Sequence, residues 1–397
     1  MPFPSWLPVL LGVLSAVGPI STDMYLPAFP AIEAALAGGH GTAQVTLATW
    51  FIGLAIGQIT QGPLSDRFGR RGPLIAGTAL YTLASAGCAL SPDLATLSAM
   101  RFLAAIGGSA SMVVPRAIVR DLADGHAAAR LMSRLMLVMG AAPILAPTLG
   151  GLVLKVADWH AIFWFAAAYG AICCAVVWWA LPDTLPPQRR TKHGIGAQLS
   201  RYFLIFRERG FVSHATIGSF AMFGLFAYVG GSPGVFISRY HLTPTGFGAM
   251  FGACALGLIV TSQANPRLLR RFGANGVLRF GVRVYVAATL ALAVLAVADI
   301  GPWYALALPL LIVTSGLGVV LPNATVGALS RHAGHAGSAS ALMGTMQYCF
   351  GAVSGLLVGA ASDGTARAMA FLMLFGACGA VVADLCRPPV GDTVSVR

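Results

Sequence analysis

Long apolar stretches separated by short polar intervals dominate the hydropathy pattern of this 397-residue chain. A helix that crosses a membrane needs about 20 mostly apolar residues. Twelve stretches approach or exceed that length, so the pattern predicts an all-α protein with twelve transmembrane helices. Their approximate bounds are 7–29, 44–64, 74–91, 95–119, 131–155, 159–181, 211–236, 243–265, 277–298, 302–328, 336–360 and 364–386.

The longest polar interval, residues 182–210, divides six predicted helices from six. It is rich in arginine and contains an aromatic and aliphatic run at 202–206, which is typical of an amphipathic helix lying on a membrane surface. We therefore expect a six-helix bundle over 1–181, a cytoplasmic linker over 182–210 and a second six-helix bundle over 211–397.

The composition supports a membrane protein, since 57% of the residues are hydrophobic and only 10% are charged. A soluble domain is about half apolar and about a quarter charged. The excess apolar surface cannot be buried in the chain's own core, so the lipid bilayer must solvate it. The sequence has no phosphate-binding loop, no metal-ligand cluster and no nucleophile constellation. We expect neither an enzyme nor a bound cofactor or metal.

The formal net charge of +12 could indicate a nucleic-acid partner, but its distribution favours another reading. The arginines concentrate in alternate polar intervals, and the intervals between them are mostly acidic. Such alternation follows from the excess of positive charge in cytoplasmic loops. We predict a multi-pass protein with both termini in the cytoplasm and no nucleic-acid partner.

A compact charged segment joins the second and third predicted helices, and part of it recurs in the second half of the chain. The segment runs from Gly62 to Leu74 and reads GPLSDRFGRRGPL. The pattern RFGxxGxL within it returns at 271–278, again between the second and third helices of its half. Asp66 of the first copy corresponds to Arg270 in the second. The repeat indicates two halves related by duplication.

The first copy fills every fixed position of G-x-L-x-D-R-x-G-R-[RK]-x-x-L and resembles the signature loop of the major facilitator superfamily of transporters. The resemblance implies two pseudo-symmetric six-helix bundles that work by alternating access, in a bacterial inner membrane. It also implies a conformational latch, in which Arg70 contacts Asp121 and Asp66 contacts the N-terminus of the eleventh helix. The residues implied in this latch are Gly62, Asp66, Arg67, Gly69, Arg70, Arg71 and Asp121.

Two charges inside apolar helices are candidates for proton coupling. Asp23 and Arg101 each lie about 9 Å inside the outer end of a predicted helix, at about 1.5 Å rise per residue. Charged groups within the membrane are costly and mark functional sites. Equal depth predicts an ion pair or a water-bridged pair between the first and fourth helices. Burial disfavours the ionised carboxylate and a nearby arginine favours it, so Asp23 is suited to exchange a proton.

The fifth helix, which contains Pro143, Pro147, Gly150 and Gly151, resembles the antiporter motif G-x-x-x-G-P-x-x-G-G in part, since Ala142 and Ala146 replace two of its glycines. A generic kinked helix is the alternative. Together with the segment 22–28 and the end of the fourth helix at 115–122, the chain resembles the bicyclomycin and chloramphenicol resistance (Bcr/CflA) branch of the drug:proton antiporters. There, an acidic residue in the first helix and an arginine in the fourth are tied to proton and substrate coupling.

The resemblance implies a monomeric, proton-coupled multidrug-type efflux transporter in the lipid bilayer that exports small, largely apolar antimicrobial compounds. A proton-coupled exporter or importer of a metabolite, such as an amino acid, nucleoside or sugar-like compound, is the alternative on the same fold. Aromatic, methionine and amide side chains suit varied small-molecule substrates. The candidate substrate-binding residues are Tyr25, Trp50, Met112, Phe223, Asn323, Gln347 and Tyr348.

Overall fold

The computed structural model describes residues 6–36, 39, 41–123, 125–191, 195–299, 301–332 and 335–387, and throughout them the regular structure is helical. Twelve helices of these residues correspond to the predicted membrane crossings. They are α1 (Leu7–Ala35, interrupted), α2 (Thr42–Phe68), α3 (Arg71–Ala89), α4 (Leu94–Leu122), α5 (Gly125–Val153), α6 (His160–Ala180), α7 (Arg209–Arg239), α8 and α9 (the two parts of Pro244–Ala298), α10 (Trp303–Leu329), α11 (Ala336–Ala360) and α12 (Arg367–Leu385).

Nine helical segments of the described residues are long and apolar enough to cross a membrane by themselves. One of them is the 55-residue segment that contains both α8 and α9, and α3 and α5 are not among the nine. The count of twelve therefore depends on division of the long segment and on the weaker signals of α3 and α5. These two helices are nevertheless packed inside the bundle, α3 against α4 and α6, and α5 against α1 and α8.

The first helix is interrupted at its centre. Its regular part ends at Thr22, a turn covers 23–25, and a short 3-10 helix precedes the final segment Phe29–Ala35. The prolines explain the break, because Pro19, Pro27 and Pro30 have no N–H to donate. The amide of Asp23 still reaches the carbonyl of Pro19, at 2.7 Å. Asp23 therefore lies in the turn between the regular part of α1 and its final helical segments.

The two repeated segments are more helical than the sequence analysis predicts. In the first copy only Gly69 and Arg70 separate α2 from α3. In the second copy the expected loop between 265 and 277 is helical, and the only residue with non-helical backbone angles is Gly273. Gly69 has φ 89° and ψ 169°, and Gly273 has φ 67° and ψ 162°. Both lie in a region that is essentially restricted to glycine, so each copy bends the chain at the same position.

The two halves meet along two helix pairs, α2 with α11 and α5 with α8. At the end of the molecule opposite the signature loop the approach is very close. A Cβ at Gly41 would lie 2.2 Å from the carbonyl oxygen of Gly359, and one at Gly151 would lie 2.7 Å from that of Pro244. Small residues thus allow backbone-to-backbone contact between helices, as is usual in membranes. This end is closed in the structure.

The interval between the halves contains the predicted surface helix, at Ile195–Phe206. It is two-faced: Tyr202 and Ile205 are buried, whereas Phe203 and Leu204 are exposed. The Tyr202 hydroxyl donates to the carbonyl of Ile59 in α2, at 3.2 Å. The helix therefore packs on the protein with one face and exposes apolar side chains on the other, and its location on a membrane surface remains a prediction. The bundle boundaries at 181 and 211 remain a prediction.

Candidate functional site

The Asp23 carboxyl group is buried inside the bundle, beside the break in α1. The residue is 9% exposed, and its side chain has no hydrogen bond or ion pair within the described part of the chain. Across the interface, the buried Tyr228 hydroxyl of α7 is close enough to interact with it electrostatically. An ionisable group without a fixed partner, next to an irregular helix, is the kind of group that exchanges protons in transporters.

Arg101 of α4 lies in an aromatic cage within the N-terminal half. Its guanidinium carbon is 4.5 Å from the ring centre of Tyr25, 4.8 Å from that of Trp50 and 5.9 Å from that of Phe163. These distances are typical of cation–π contacts, which are strongest where water is excluded. One terminal nitrogen, Nη1, donates to the backbone carbonyl of Ser21 at 2.7 Å. The arginine thus holds the end of the regular part of α1, two residues before Asp23.

The sequence predicts an ion pair or a water-bridged pair between Asp23 and Arg101, and among the described residues the direct ion pair is not formed. Three aromatic rings and the Ser21 carbonyl surround the guanidinium instead, because unwinding of α1 directs that carbonyl towards α4. The Nε and Nη2 atoms of Arg101 are buried without an acceptor among the described residues. The arginine therefore retains two N–H donors that are not used by the described residues.

The partial antiporter motif of α5 contacts both α1 and α8. A Cβ at Gly150 would lie 2.0 Å from the carbonyl oxygen of Met24, the residue after Asp23. Gly151 faces Pro244 of α8 in the same way, and Pro143 and Pro147 are inside the helix. Because of these two glycines, α5 packs closely against the break in α1 and against α8 of the other half. One helix thus contacts both the backbone beside Asp23 and α8 of the opposite half.

The contact between Arg70 and Asp121 that the resemblance implies is present. Nε and Nη2 of Arg70 donate to the two carboxylate oxygens of Asp121, at 2.7 Å and 3.2 Å. The side chain of Arg70 is only 6% exposed, and it also donates to Ser65 and to the Asp66 carboxylate. Asp183, which the sequence analysis did not identify, accepts from the backbone N–H of Arg70 at 2.9 Å. The signature segment is thus tied to α4 and to the end of α6.

The expected contact of Asp66 with the N-terminus of α11 is not found among the residues that the structure describes, which omit 333 and 334 just before that helix. The Asp66 carboxylate pairs with Arg70, four residues later in the chain, and within the described residues no bond links it to α11. Arg67 lies over Phe68, and Arg71 donates to the carbonyl of Trp178. A Cβ at Gly62 would have open space around it.

The candidate substrate residues separate into groups. Tyr25 and Trp50 belong to the Arg101 cage, and Phe223 packs against Phe375 of α12, with ring centres 5.4 Å apart. Met112 contacts Gly18, and Asn323 donates to Asn265 at 2.8 Å. Tyr348 lies between the halves, since it stacks with Phe51 and Phe226 from opposite halves, whereas the amide of Gln347 lies against Gly218 of α7. The seven residues therefore do not line a single cavity.

Arg116 is an internal charge that the sequence analysis did not single out. Its Nε is buried without an acceptor in the described residues, and Tyr348 of α11 is close enough to interact with it electrostatically. An arginine within a predicted apolar span was the available signal. It adds a positive charge between α4 and the C-terminal half, beside Tyr348.

Twelve membrane helices in two halves, with ionisable side chains inside the bundle and an irregular first helix, define a secondary transporter. The family model of the Major Facilitator Superfamily matches residues 11–356. The chain belongs to this superfamily, whose members are transporters and not enzymes.

Relatives and solved structures agree with this family. The chain is 36% identical to an uncharacterized MFS-type transporter, YdgK, of Bacillus subtilis, over 89% of this chain and 88% of the relative. It is 30% identical to a bicyclomycin resistance protein homolog of Haemophilus influenzae, over 93% and 92%. The crystal structure of a D-xylose-proton symporter superimposes with a TM-score of 0.74, at 15% identity, over 96% of this chain and 95% of that one. That last likeness concerns the fold alone.

Proposed function

We propose that this protein is a proton-coupled efflux transporter that exports small, largely apolar antimicrobial compounds by alternating access. The observation that carries the proposal is the buried Asp23 carboxyl group at the break of α1, with Arg101 holding the adjacent backbone at Ser21. The similarity to a bicyclomycin resistance protein homolog supports the choice of drug-like substrates.

The chemistry follows from the surroundings of Asp23. Protonation from the outer side neutralises the carboxyl group, which lowers the cost of its burial and removes its attraction for a bound substrate. Loss of the proton to the cytoplasm restores the charge and the binding state. Inward movement of protons supplies about 2.3 kcal/mol per charge for each 100 mV of membrane potential. Export against a gradient then needs no nucleotide.

The α5 motif connects this proton site to the movement of the two halves. Gly150 abuts Met24 and Gly151 abuts Pro244, so one helix contacts both the proton-binding segment and the opposite half. Protonation of Asp23 thereby affects the same contacts that close the end of the molecule opposite the signature loop. In this proposal the protein is a monomer in a bacterial inner membrane, with the signature loop and both termini in the cytoplasm.

The proposal is tested by proton release in weak buffer. Bicyclomycin and chloramphenicol are added to detergent-purified protein, and the pH is followed for the wild type, Asp23→Asn and Asp158→Asn. Asp158 is an acidic residue whose side chain is 69% exposed outside the helices, so its variant matches the chemical change without the burial. We expect drug-induced acidification in the wild type and in Asp158→Asn, and none in Asp23→Asn.

Absence of acidification with either drug, from wild-type protein that melts cooperatively, would contradict drug:proton antiport. Counterflow with radiolabelled amino acids, nucleosides and sugars would then identify a metabolite transporter. Acidification that persists in Asp23→Asn would retain antiport and reject Asp23 as the proton site.

A further inference from the structure

A long groove lies on the outside of the C-terminal half, between α7 and α12, and the site described above does not use it. Its volume is about 740 Å³, within the range of pockets that hold small molecules. The walls are mostly apolar and include Val212, Phe220, Phe375 and Val382. Gly379 gives room for the Phe220 ring, because a Cβ at that position would lie 2.3 Å from it. The groove faces outward from the bundle, towards the bilayer.

The length of the groove along α7 matches the thickness of one bilayer leaflet. From Arg209 to Phe220 along α7 the rise is about 17 Å, at about 1.5 Å per residue. Half of a hydrocarbon core of about 30 Å is about 15 Å. A single acyl chain that starts at the membrane surface therefore spans the groove and ends near the middle of the bilayer.

The surface end of the groove is positively charged. Arg207 and Arg209 line it, and both are exposed and without an ion-pair partner in the described ranges. Arg207 also lies over the ring of Phe203, with 5.3 Å between its guanidinium carbon and the ring centre. Guanidinium groups form bidentate hydrogen bonds with phosphate. An apolar channel with two free arginines at its mouth is complementary to a lipid with a negatively charged headgroup.

The intervening acidic residue, Glu208, does not neutralise this end. Its carboxylate accepts from the backbone N–H of Gly210 at 2.9 Å and from that of Phe211, and so caps α7. It also pairs with Arg331, at 3.1 Å. Partial burial opposes its ionisation, but the helix N–H groups and Arg331 outweigh that effect and hold the pKa of Glu208 below its ordinary value. The carboxylate is thus ionised, and it is already bound to the N-terminus of α7 and to Arg331.

We infer that the groove between α7 and α12 binds one anionic phospholipid, with its phosphate on Arg207 and Arg209 and an acyl chain against Phe220 and Phe375. Arg207 follows the linker helix and Arg209 begins α7. The bound lipid therefore fastens the linker to the C-terminal half. This site is independent of the proposed transport cycle and of the identity of its substrate.

The experiment uses native mass spectrometry of the full-length protein released from detergent with added phosphatidylglycerol or phosphatidylcholine. The test variant is Arg207→Gln/Arg209→Gln. The matched control is Arg270→Gln/Arg271→Gln, which removes two exposed adjacent arginines and likewise includes one that lies over a phenylalanine ring. We expect the wild type and control to prefer phosphatidylglycerol. The test variant should bind it roughly thirtyfold more weakly, from about one kcal/mol per arginine.

The position of the lipid is tested through thiols already present. Cys378 and Cys386 line the groove, and Cys349 is exposed on α11, outside it. Phosphatidylglycerol should slow maleimide labelling of Cys378 and Cys386 in the wild type and leave Cys349 unchanged. Equal binding of both lipids, an unchanged preference in a cooperatively melting test variant, or unprotected groove thiols would each overturn the inference. Protection by chloramphenicol alone would also overturn it, since the groove would then bind drug.

Discussion

The two copies of the repeated segment share a backbone but differ in their interactions. Gly69 and Gly273 adopt nearly the same glycine-restricted angles. Arg70, however, is buried among Asp66, Asp121 and Ser65, whereas its counterpart Ala274 is exposed. Asp66 likewise corresponds to Arg270. Duplication has retained the bend in both halves. Among the described residues, the trio of Arg70, Asp66 and Asp121 is found in the first copy, whereas the second copy is held by Arg387 of the C-terminal end, which donates to Asn275 and pairs with Asp384.

This difference indicates that the bend and the ion network have separate roles. The bend is needed wherever the second helix of a half turns into the third, and glycine alone satisfies it. The network joins α2, α3 and α4 with the end of α6, so it makes one rigid end of the N-terminal half. In the C-terminal half the residues between the second and third helices are helical on both sides of Gly273. We expect substitutions in the two copies to separate these roles.

The largest effect is expected for Arg70→Gln. The variant leaves Asp121, whose side chain is 15% exposed, without its cation. Loss of one partner from a buried ion pair costs about 3–5 kcal/mol. The melting temperature of detergent-purified protein measures the loss, with Arg270→Gln as the control. That exposed residue should change the free energy of unfolding by less than about 0.5 kcal/mol. Equal melting temperatures for the two variants would show that the network does not stabilise the fold.

A second comparison uses Gly69→Ala and Gly273→Ala. Each forces a side chain into a backbone region that costs about 1–3 kcal/mol. At Gly69 the new Cβ would also lie 2.0 Å from a carboxylate oxygen of Asp183, whereas at Gly273 it meets open space. Both variants should melt at lower temperature than the wild type, and Gly69→Ala at the lowest. If Gly273→Ala matched the wild type, the shared bend would not be a requirement of the second copy.

The remaining paired glycines, Gly72 and Gly276, should behave alike. Both are helical, and a Cβ would meet nothing at Gly72 and only ordinary contact at Gly276. Alanine in a helix is favoured over glycine by about 0.5–1 kcal/mol, so each variant should be as stable as the wild type or slightly more so. Thermal melting checks stability, and drug-dependent proton release checks activity. Destabilisation of either variant would contradict the open space in the structure.

The smallest effect is expected for Asp66→Asn. The Asp66 side chain is 46% exposed, and exposed pairs four residues apart contribute about 0.2–0.5 kcal/mol. The reciprocal variant Arg270→Asp/Ala274→Arg places the same pair in the second copy and should raise stability by a similar amount. Thermal melting of both detects the change. A destabilisation of Asp66→Asn as large as that of Arg70→Gln would show that Asp66 has a partner besides Arg70.

Much of the fold was predictable from the sequence because membrane helices must be long and apolar. The bounds of α4 and α6 were predicted to within a few residues. The interval from 265 to 277 was not, since its polar residues suggested a loop, yet it is helical apart from Gly273. Polarity shows that a segment lies outside the membrane, but it does not distinguish a loop from an exposed helix.

The candidate site was predictable in its residues and less so in its contacts. A charge inside an apolar stretch is conspicuous in any sequence, so Asp23 and Arg101 were found. The pairing of Arg70 with Asp121 followed from the family resemblance and is present. A direct or water-bridged pair of Asp23 with Arg101 was expected from depth alone, and the direct pair is not formed among the described residues. Depth specifies height along the membrane but not the direction in which a side chain points.

The sequence by itself therefore determined the membrane environment, the two-fold repeat, the glycines that bend it and the internal charges. All of these are local properties of composition and order along the chain. Only the tertiary structure decided that Arg101 lies in a cage of Tyr25, Trp50 and Phe163, and that a groove opens between α7 and α12. Those features depend on the rotation and spacing of helices far apart in sequence, which close packing of side chains sets.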